Sequence, residues 1–127
     1  MSHFQKNPAR PIWEDPDTGK IYIIDQRKLP RQMVVFELAD VDDVIFAICD
    51  MMVRGAPLIG VTGAYGVYLA FAANPSNPDQ AAQQGRRIRQ ARPTAVNLAW
   101  AVDQTLEKAM SADKDSRAEA ARTHAAA

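Results

Sequence analysis

The chain has 127 residues, of which 47% are hydrophobic and 24% are charged, so it favours one globular domain and excludes a disordered chain. Fifteen basic and 15 acidic side chains cancel to a net charge of zero, which argues against attachment to nucleic acid or an anionic membrane through overall charge. The single cysteine, Cys49, excludes an internal disulfide and a cysteine-based metal site, and His3 and His124 lie at opposite ends. Residues 1–8 lack the apolar segment of a secretory signal, so we expect a cytoplasmic protein.

Three short strands are predicted near the N-terminus. Residues 11–14 and 20–25 favour extended backbone, and the DPDTG sequence at 15–19 has strong turn chemistry, so together they predict a hairpin. Residues 33–38 (MVVFEL) predict a third strand. Because a two-stranded hairpin alone is marginally stable, we expect a small three-stranded antiparallel sheet.

A helix is predicted to begin after Asp40, whose side chain can cap it. Its buried side is predicted from apolar residues at helical spacing, which are Val44, Ile45, Ile48, Met51 and Met52. Cys49 lies beside this stripe and is interpreted as a small core residue rather than a reactive thiolate. Gly55 is expected to end the helix in a left-handed conformation. The acids of this region indicate a solvated, capped helix rather than an acid–base pair; they are Asp40, Asp42, Asp43 and Asp50.

The uncharged segment 56–73 (APLIGVTGAYGVYLAFAA) is long enough for a membrane span. Its three glycines and two tyrosines make it only modestly apolar, so we interpret it as a buried core helix that begins near Pro57. Gly60, Gly63 and Gly66 recur at every third residue and predict a smooth strip that another backbone can approach.

Further helices are predicted at 79–90, at 95–110 and from Lys114 onward. Strands followed by helices predict an α+β fold, in which the sheet is followed by a helical bundle. We expect a domain at 1–112 and, at 113–127, a helix that is cut before its natural end, because its Ala-rich sequence contains no stop signal. Four arginines without interleaved aromatics favour a solvated helix face over a nucleic-acid site; they are Arg86, Arg87, Arg89 and Arg92.

Two segments have the chemistry of an anion site. Arg54-Gly55-Ala56-Pro57 places an arginine just before a predicted helix start, where free backbone N–H groups and the helix dipole favour anions. The RPTAVN segment at 92–97 repeats the arrangement with Arg92, and its Thr94 is a candidate N-cap. Together they predict a site for a small anionic ligand, preferably a phosphorylated one.

Three segments together resemble S-methyl-5-thioribose-1-phosphate isomerases. They are IDQRKLP at 24–30, VRGAPLIG at 53–60 with AYG at 64–66, and RPTAVNLAWA at 92–101. The resemblance spans about residues 12–110, and it extends to the related alpha, beta and delta subunits of the translation initiation guanine-nucleotide exchange factor. Arg27, Lys28 and Leu58 depart from the usual family pattern.

The resemblance implies conversion of methylthioribose 1-phosphate to methylthioribulose 1-phosphate in methionine salvage, by a cytoplasmic homodimer without metal or nucleotide cofactor. It implies an N-terminal domain of strands and helices, with a Rossmann-like second domain that we expect this chain to lack. Substrate contacts are implied for Arg54, Gly55 and Ala56, and a phosphate contact for Arg92. The family's catalytic cysteine and aspartate belong to the second domain, so we expect no catalytic residue here, and Cys49 does not match that cysteine.

Two other functions stay open. The chain could be a non-catalytic regulatory or binding module of the exchange-factor type, or a ribose-1,5-bisphosphate isomerase-like protein. The RPTAVNL sequence with Arg92 favours the sugar-phosphate enzyme over both. The expected partner is a small phosphorylated sugar, with neither nucleic acid nor membrane.

Overall fold

The computed structural model describes residues 11–15 and 17–126. Predictions that concern residues 1–10, Pro16 and Ala127 lie outside these described residues. The described elements, in chain order, are β1 (Ile12–Glu14), β2 (Ile21–Ile24), a 3-10 helix (Gln26–Lys28), β3 (Val35–Leu38), α1 (Val41–Cys49), α2 (Ala56–Ala73), α3 (Pro78–Arg89), α4 (Val96–Ser111), a second 3-10 helix (Lys114–Ser116) and α5 (Arg117–Ala126). The predicted α+β fold, a small antiparallel sheet followed by a helical bundle, is confirmed.

The sheet has the order β1-β2-β3, and both strand pairs are antiparallel. The β1–β2 turn is closed by a hydrogen bond from Asp15 N to the Lys20 carbonyl (2.8 Å), as the turn residues predict. Ile21 and Ile23 alternate along β2 toward the core and are fully buried. β3 begins at Val35, two residues later than predicted, and Met33 is 54% exposed because it precedes the paired segment.

Helix α1 is capped as predicted but ends differently. Asp40 Oδ1 accepts a hydrogen bond from Asp43 N, and Asp43 Oδ2 accepts one from Ala39 N, both at 2.9 Å. The helix ends at Cys49, and Met51 takes the left-handed conformation (φ 61°) that was expected of Gly55. Bonds from Met52 N to the Ala47 carbonyl (2.9 Å) and from Met51 N to the Ile48 carbonyl (3.3 Å) close this C-terminus.

Two residues predicted for the α1 core are therefore exposed. Met51 lies beyond the helix and is 46% exposed, so its place in the apolar stripe was wrong. Cys49 is also exposed, because it points away from the side that buries Val44 and Ile48. Its thiol donates to the Ala91 carbonyl at 3.5 Å and so joins the end of α1 to the segment before α4.

Helix α2 lies at the centre of the bundle and contacts α1, α3, α4 and α5. By length and composition alone it could cross a membrane, but 61% of it is buried inside the protein. This burial agrees with its interpretation as a core helix. The apolar side chains of all five helices and of the sheet join one core cluster around it.

The glycine strip of α2 allows close packing of its neighbours. A Cβ at Gly60 would lie 3.5 Å from the Asn97 carbonyl oxygen, so α2 and α4 approach closely there. Gly63 faces Leu98 and Val102 further along both helices. Because the contacts advance in the same direction along both helices, α2 and α4 run in the same general direction, and the start of α4 lies beside the second turn of α2.

Helix α5 packs back onto the bundle. It contacts α2 and α4, and its Ala121 and Ala125 are buried. Arg122 Nη1 donates to both oxygens of Glu14 (3.1 and 3.2 Å), which joins α5 to β1. The predicted division of the chain at residue 112 stays a prediction.

Candidate functional site

The first predicted segment starts α2. Met52 and Val53 are buried and hold the connection from α1, whereas Arg54 is exposed. Gly55 is the N-cap of α2 with φ 94°, a conformation that side chains rarely adopt, and it supplies no side-chain cap. Pro57 occupies the first turn and lacks an N–H. Among the described residues no side chain caps this helix start, so its free first-turn N–H groups suit an anionic ligand.

The second predicted segment starts α4. Arg92 is half-buried, and its Nη1 is buried without a hydrogen-bond partner among the residues that the structure describes. An unpartnered buried N–H on a cation is costly. The same holds for Nε of Arg117 beside Pro78, so this feature alone does not identify a ligand site.

Thr94 was a wrong candidate for the N-cap of α4. The cap is Ala95, whose side chain offers no acceptor, and both Thr94 and Asn97 are exposed. Ala95 N instead donates to the Arg92 carbonyl at 2.9 Å, which forms a turn before the helix. Within the described part of the chain, the start of α4 therefore also has N–H groups without a side-chain cap.

Residues of both helix starts, Ala56 and Pro57 of α2 and Asn97 of α4, line one groove. Each helix dipole is equivalent to about half a positive charge at its N-terminus, so both helix starts favour an anion near this end of the groove. Arg54 precedes α2 by two residues and Arg92 precedes α4 by four, so both arginines lie at this end of the helix pair. In contrast, α1 and α3 are capped by the side chains of Asp40 and Asn77.

An apolar groove of about 430 Å³ lies beside these helix starts. It is formed by α2, α4 and α5, and its lining consists of Ala56, Pro57, Gly60, Val61, Ala64, Asn97, Trp100, Ala101, His124 and Ala125. Val96 and Trp100 are 78% and 64% exposed, one helical turn apart on α4. The lining contains no arginine or lysine. The groove thus suits an apolar group next to an anion.

A smaller cavity of about 350 Å³ has Arg54 in its lining. It is lined by Gln26, Arg27, Leu29, Asp50, Met51 and Arg54. Neither Arg27 nor Asp50 was predicted as a site residue. The available signal was weak: an acid at the end of a strand with an arginine two residues later is common on protein surfaces.

Asp25 and Arg27 form a fixed ion pair at the edge of this cavity. The Asp25 carboxylate is only 3% exposed and accepts hydrogen bonds from Arg27 Nε (2.9 Å), Nη2 (2.7 Å) and backbone N (3.0 Å). The side-chain hydrogen bond from Arg27 is the largest influence, and it holds the pKa of Asp25 below its ordinary value of 3.8 despite burial.

Replacement of Asp25 should therefore change acid stability. Because the pKa of Asp25 is lower in the folded than in the unfolded protein, its ionised form stabilises the fold above about pH 4. That contribution is lost as the pH falls through the lowered folded pKa. We expect Asp25→Asn to reduce the free energy of unfolding by about 1–3 kcal/mol at pH 7, and the difference from wild type to shrink toward pH 3.

Urea unfolding at pH 7, 4 and 3 measures this difference. Glu107→Gln, which removes an exposed carboxylate on α4, is the control and should cost less than about 0.5 kcal/mol. A difference between wild type and Asp25→Asn that stays constant from pH 7 to 3 would contradict the role assigned to the ionised carboxylate.

The arginines of α3 belong to a solvated helix face. Arg87 Nη2 lies 3.0 Å from Asp42 Oδ1, and Arg89 Nε lies 3.6 Å from Asp103 Oδ1. Among residues 11–15 and 17–126, no three His, Cys, Asp or Glu side chains cluster in a way that could hold a metal ion.

Comparison with known proteins connects both helix starts to one family. The family model of the initiation factor 2 subunit family matches residues 52–127, a range that includes Arg54 and Arg92. A methylthioribose-1-phosphate isomerase from Desulfosudis oleivorans is 52% identical over 99 residues, which are 76% of this chain and 27% of that protein. One from Rhizobium meliloti is 46% identical over 110 residues, or 87% of this chain and 30% of that protein.

Two solved structures have the same fold as this chain. The delta subunit of translation initiation factor eIF-2B from A. fulgidus superposes with a TM-score of 0.82 at 31% identity, and 5-methylthioribose 1-phosphate isomerase from Pyrococcus horikoshii with 0.76 at 28%. Each match covers 92% of this chain and 35% of the other. The chain thus covers about a third of the length of each solved chain and a smaller share of the isomerases from Desulfosudis oleivorans and Rhizobium meliloti. Since the family model covers more than half of its residues, this chain belongs to the initiation factor 2 subunit family.

Proposed function

We propose that this chain binds the phosphate of a sugar 1-phosphate at the N-termini of α2 and α4, with Arg54, Gly55, Ala56 and Arg92 as the contacting residues. The observation that carries the proposal is the pair of neighbouring helix starts, each preceded by an arginine and each without a side-chain cap among the described residues. Backbone N–H groups, two helix dipoles and two guanidinium groups together provide the donors and the charge that a phosphate dianion requires.

The substrate that we propose is methylthioribose 1-phosphate, which a cytoplasmic aldose–ketose isomerase of methionine salvage converts to methylthioribulose 1-phosphate. The two isomerase relatives, at 52% and 46% identity, support this choice. Such a reaction moves hydrogen between neighbouring carbons and needs a positioned acid or base. In this proposal the chain supplies binding energy at the phosphate, and the proton-transfer groups come from the region that the longer relatives have in addition. We further propose that the whole enzyme acts as a homodimer.

The apolar groove supports a monophosphate over a bisphosphate. A second phosphate placed there would meet mainly alanine, proline and tryptophan side chains, with Asn97 and His124 as polar groups and no arginine or lysine from the lining. A methylthio group, in contrast, gains from burial against those side chains. This observation weighs against the ribose-1,5-bisphosphate alternative.

The exchange-factor alternative also has support, because the eIF-2B delta subunit has the higher TM-score of the two solved relatives. A regulatory module of that type would bind a phosphorylated metabolite or a protein without chemistry. The fold is common to both functions, so ligand chemistry has to separate them.

Thermal unfolding with three ligands tests the proposal. Methylthioribose 1-phosphate should stabilise the chain saturably, by about 2.7 kcal/mol at 100 times its Kd. Methylthioribose without phosphate should leave the melting temperature unchanged. Ribose 1,5-bisphosphate should need at least about tenfold more ligand for the same rise in melting temperature. Equal stabilisation by methylthioribose with and without phosphate would refute phosphate binding, and preference for the bisphosphate would favour the alternative enzyme.

We also expect binding without turnover. Among the described residues, the groove offers His124 as a titratable side chain but no carboxylate or thiol to share proton transfer. Incubation of the purified chain with methylthioribose 1-phosphate should leave the aldose unchanged. Ketose formation that scales with chain concentration and disappears in Arg92→Met would contradict this expectation.

A further inference from the structure

Arg27 is held rigidly, although its guanidinium lies near the surface. Three donors of Arg27 bind the buried carboxylate of Asp25, and Asp25 N in turn donates to the Val34 carbonyl at 2.8 Å. The side chain has therefore already lost most of its conformational freedom. A second partner at its Nη1 can be bound at little further entropic cost.

That partner is Asp50, at the end of α1. Arg27 Nη1 lies 3.4 Å from Asp50 Oδ2, and the neighbouring Gln26 N donates to the Met52 carbonyl at 2.7 Å. Residues 26 and 27 thus contact the α1–α2 connection at two points, just before Arg54. The sheet end and the start of α2 are linked through these contacts.

Asp50 is the acid that lines the same cavity as Arg54. The Arg54 guanidinium has no hydrogen bond or ion pair with another residue in the described part of the chain, so it is open to an anion. A carboxylate on the wall of the same cavity is a competing partner for that guanidinium. The competition is suppressed while Asp50 is paired with Arg27.

We propose that Arg27 is a positioning residue, which binds Asp50 and thereby leaves Arg54 free for the ligand phosphate. The inference rests on the proposed function, because it gives Arg54 the role of phosphate ligand. It adds a residue that touches no substrate and whose effect acts through Asp50. A merely structural Arg27 would not depend on the charge of Asp50, and this difference can be measured.

The first readout is the rate at which phenylglyoxal, an arginine-selective reagent, modifies Arg54, followed by peptide mass spectrometry. We expect Arg27→Met to slow modification of Arg54 by about threefold to fivefold, the size that an exposed ion pair supports. Adding Asp50→Asn to that variant should restore the rate. Asp50→Asn alone should be no slower than wild type, and Arg31→Met, which removes an exposed arginine nearby, is the matched control and should change nothing.

Calorimetric titration with methylthioribose 1-phosphate is the second readout. The affinity should fall in Arg27→Met and recover when Asp50→Asn is added. Because Arg27→Met leaves the buried Asp25 carboxylate without its partner, each variant is first compared with wild type by urea unfolding, and labelling and titration are carried out only where the variant is folded. An Arg54 rate that is unchanged by Arg27→Met, or that Asp50→Asn fails to restore, overturns the inference. Charge-dependent labelling without any binding of the sugar phosphate would support the control of Asp50 by Arg27 but refute the phosphate role of Arg54 and with it the proposed function, since labelling requires no sugar.

Discussion

Arg92→Met should weaken binding of methylthioribose 1-phosphate by about 100-fold, and Arg54→Met by about 10-fold to 100-fold. Hydrogen bonds between a guanidinium and a phosphate are charge-assisted, and each contributes about 1.5–3 kcal/mol, where 1.4 kcal/mol is a factor of ten in Kd. Arg92 should have the larger effect because its side chain is half-buried, so its charge is screened less by solvent and salt than that of the exposed Arg54. Isothermal titration calorimetry measures both changes directly.

Arg86→Met is the matched control for these variants. Arg86 is exposed on α3 and carries the same charge, so it reports the effect of net charge alone. We expect its Kd to stay within about twofold of wild type. If Arg86→Met weakens binding as much as Arg92→Met does, binding reflects overall charge rather than a site at the helix starts.

Replacing glycine by alanine in the glycine strip of α2 should lower the free energy of unfolding at one position and raise it at another. A Cβ at Gly66 would lie 2.5 Å from Ile88 Cδ1 and 2.9 Å from Val44 Cγ1, both buried side chains on other helices. Overpacking of this kind costs about 1–3 kcal/mol. Alanine has a helix-propensity advantage of about 1 kcal/mol over glycine, and at the upper end of its range the overpacking cost exceeds this advantage. We expect Gly66→Ala to lower the free energy of unfolding by about 1–2 kcal/mol.

Gly60→Ala is the internal comparison in the same helix. Its Cβ would have no neighbour closer than 3.5 Å, so only the propensity gain remains. We expect Gly60→Ala to raise the free energy of unfolding by about 0.5–1 kcal/mol. Urea unfolding of both variants measures the change. Equal changes at Gly60 and Gly66 would show that the tight contacts around Gly66 do not control stability.

Local sequence signals predicted most of the fold. The hairpin turn, the Asp40 cap and the α3 and α4 boundaries all depend on residues close in sequence, and the structure places both helices within one residue of the prediction. The end of α1 could not be read in this way. Met51 adopts a left-handed conformation that the sequence assigns more naturally to a glycine, because the burial of Met52 and Val53 fixes the path of the chain there.

The candidate site was only partly predictable because it depends on tertiary packing. Arginines before two helix starts are visible in the sequence, whereas the parallel packing that brings those starts together is not. The contact of Arg27 with Asp50 joins residues 23 apart and has no sequence signature. At Thr94 the sequence signal is present but the structure does not use it. The chain turns at Arg92 and the helix begins one residue later than a Thr94 cap would require, so Thr94 caps nothing.

Amide chemical shifts in a ¹⁵N-labelled sample, titrated with methylthioribose 1-phosphate, test most directly whether one phosphate meets both helix starts. We predict that the largest shift changes occur together at Gly55, Ala56 and Leu58 in α2 and at Val96 and Asn97 in α4, with a common Kd. Pro57 has no amide signal, and the capped starts of α1 and α3 serve as internal references. Saturable changes confined to one of the two helix starts, or located elsewhere on the bundle, would contradict the site.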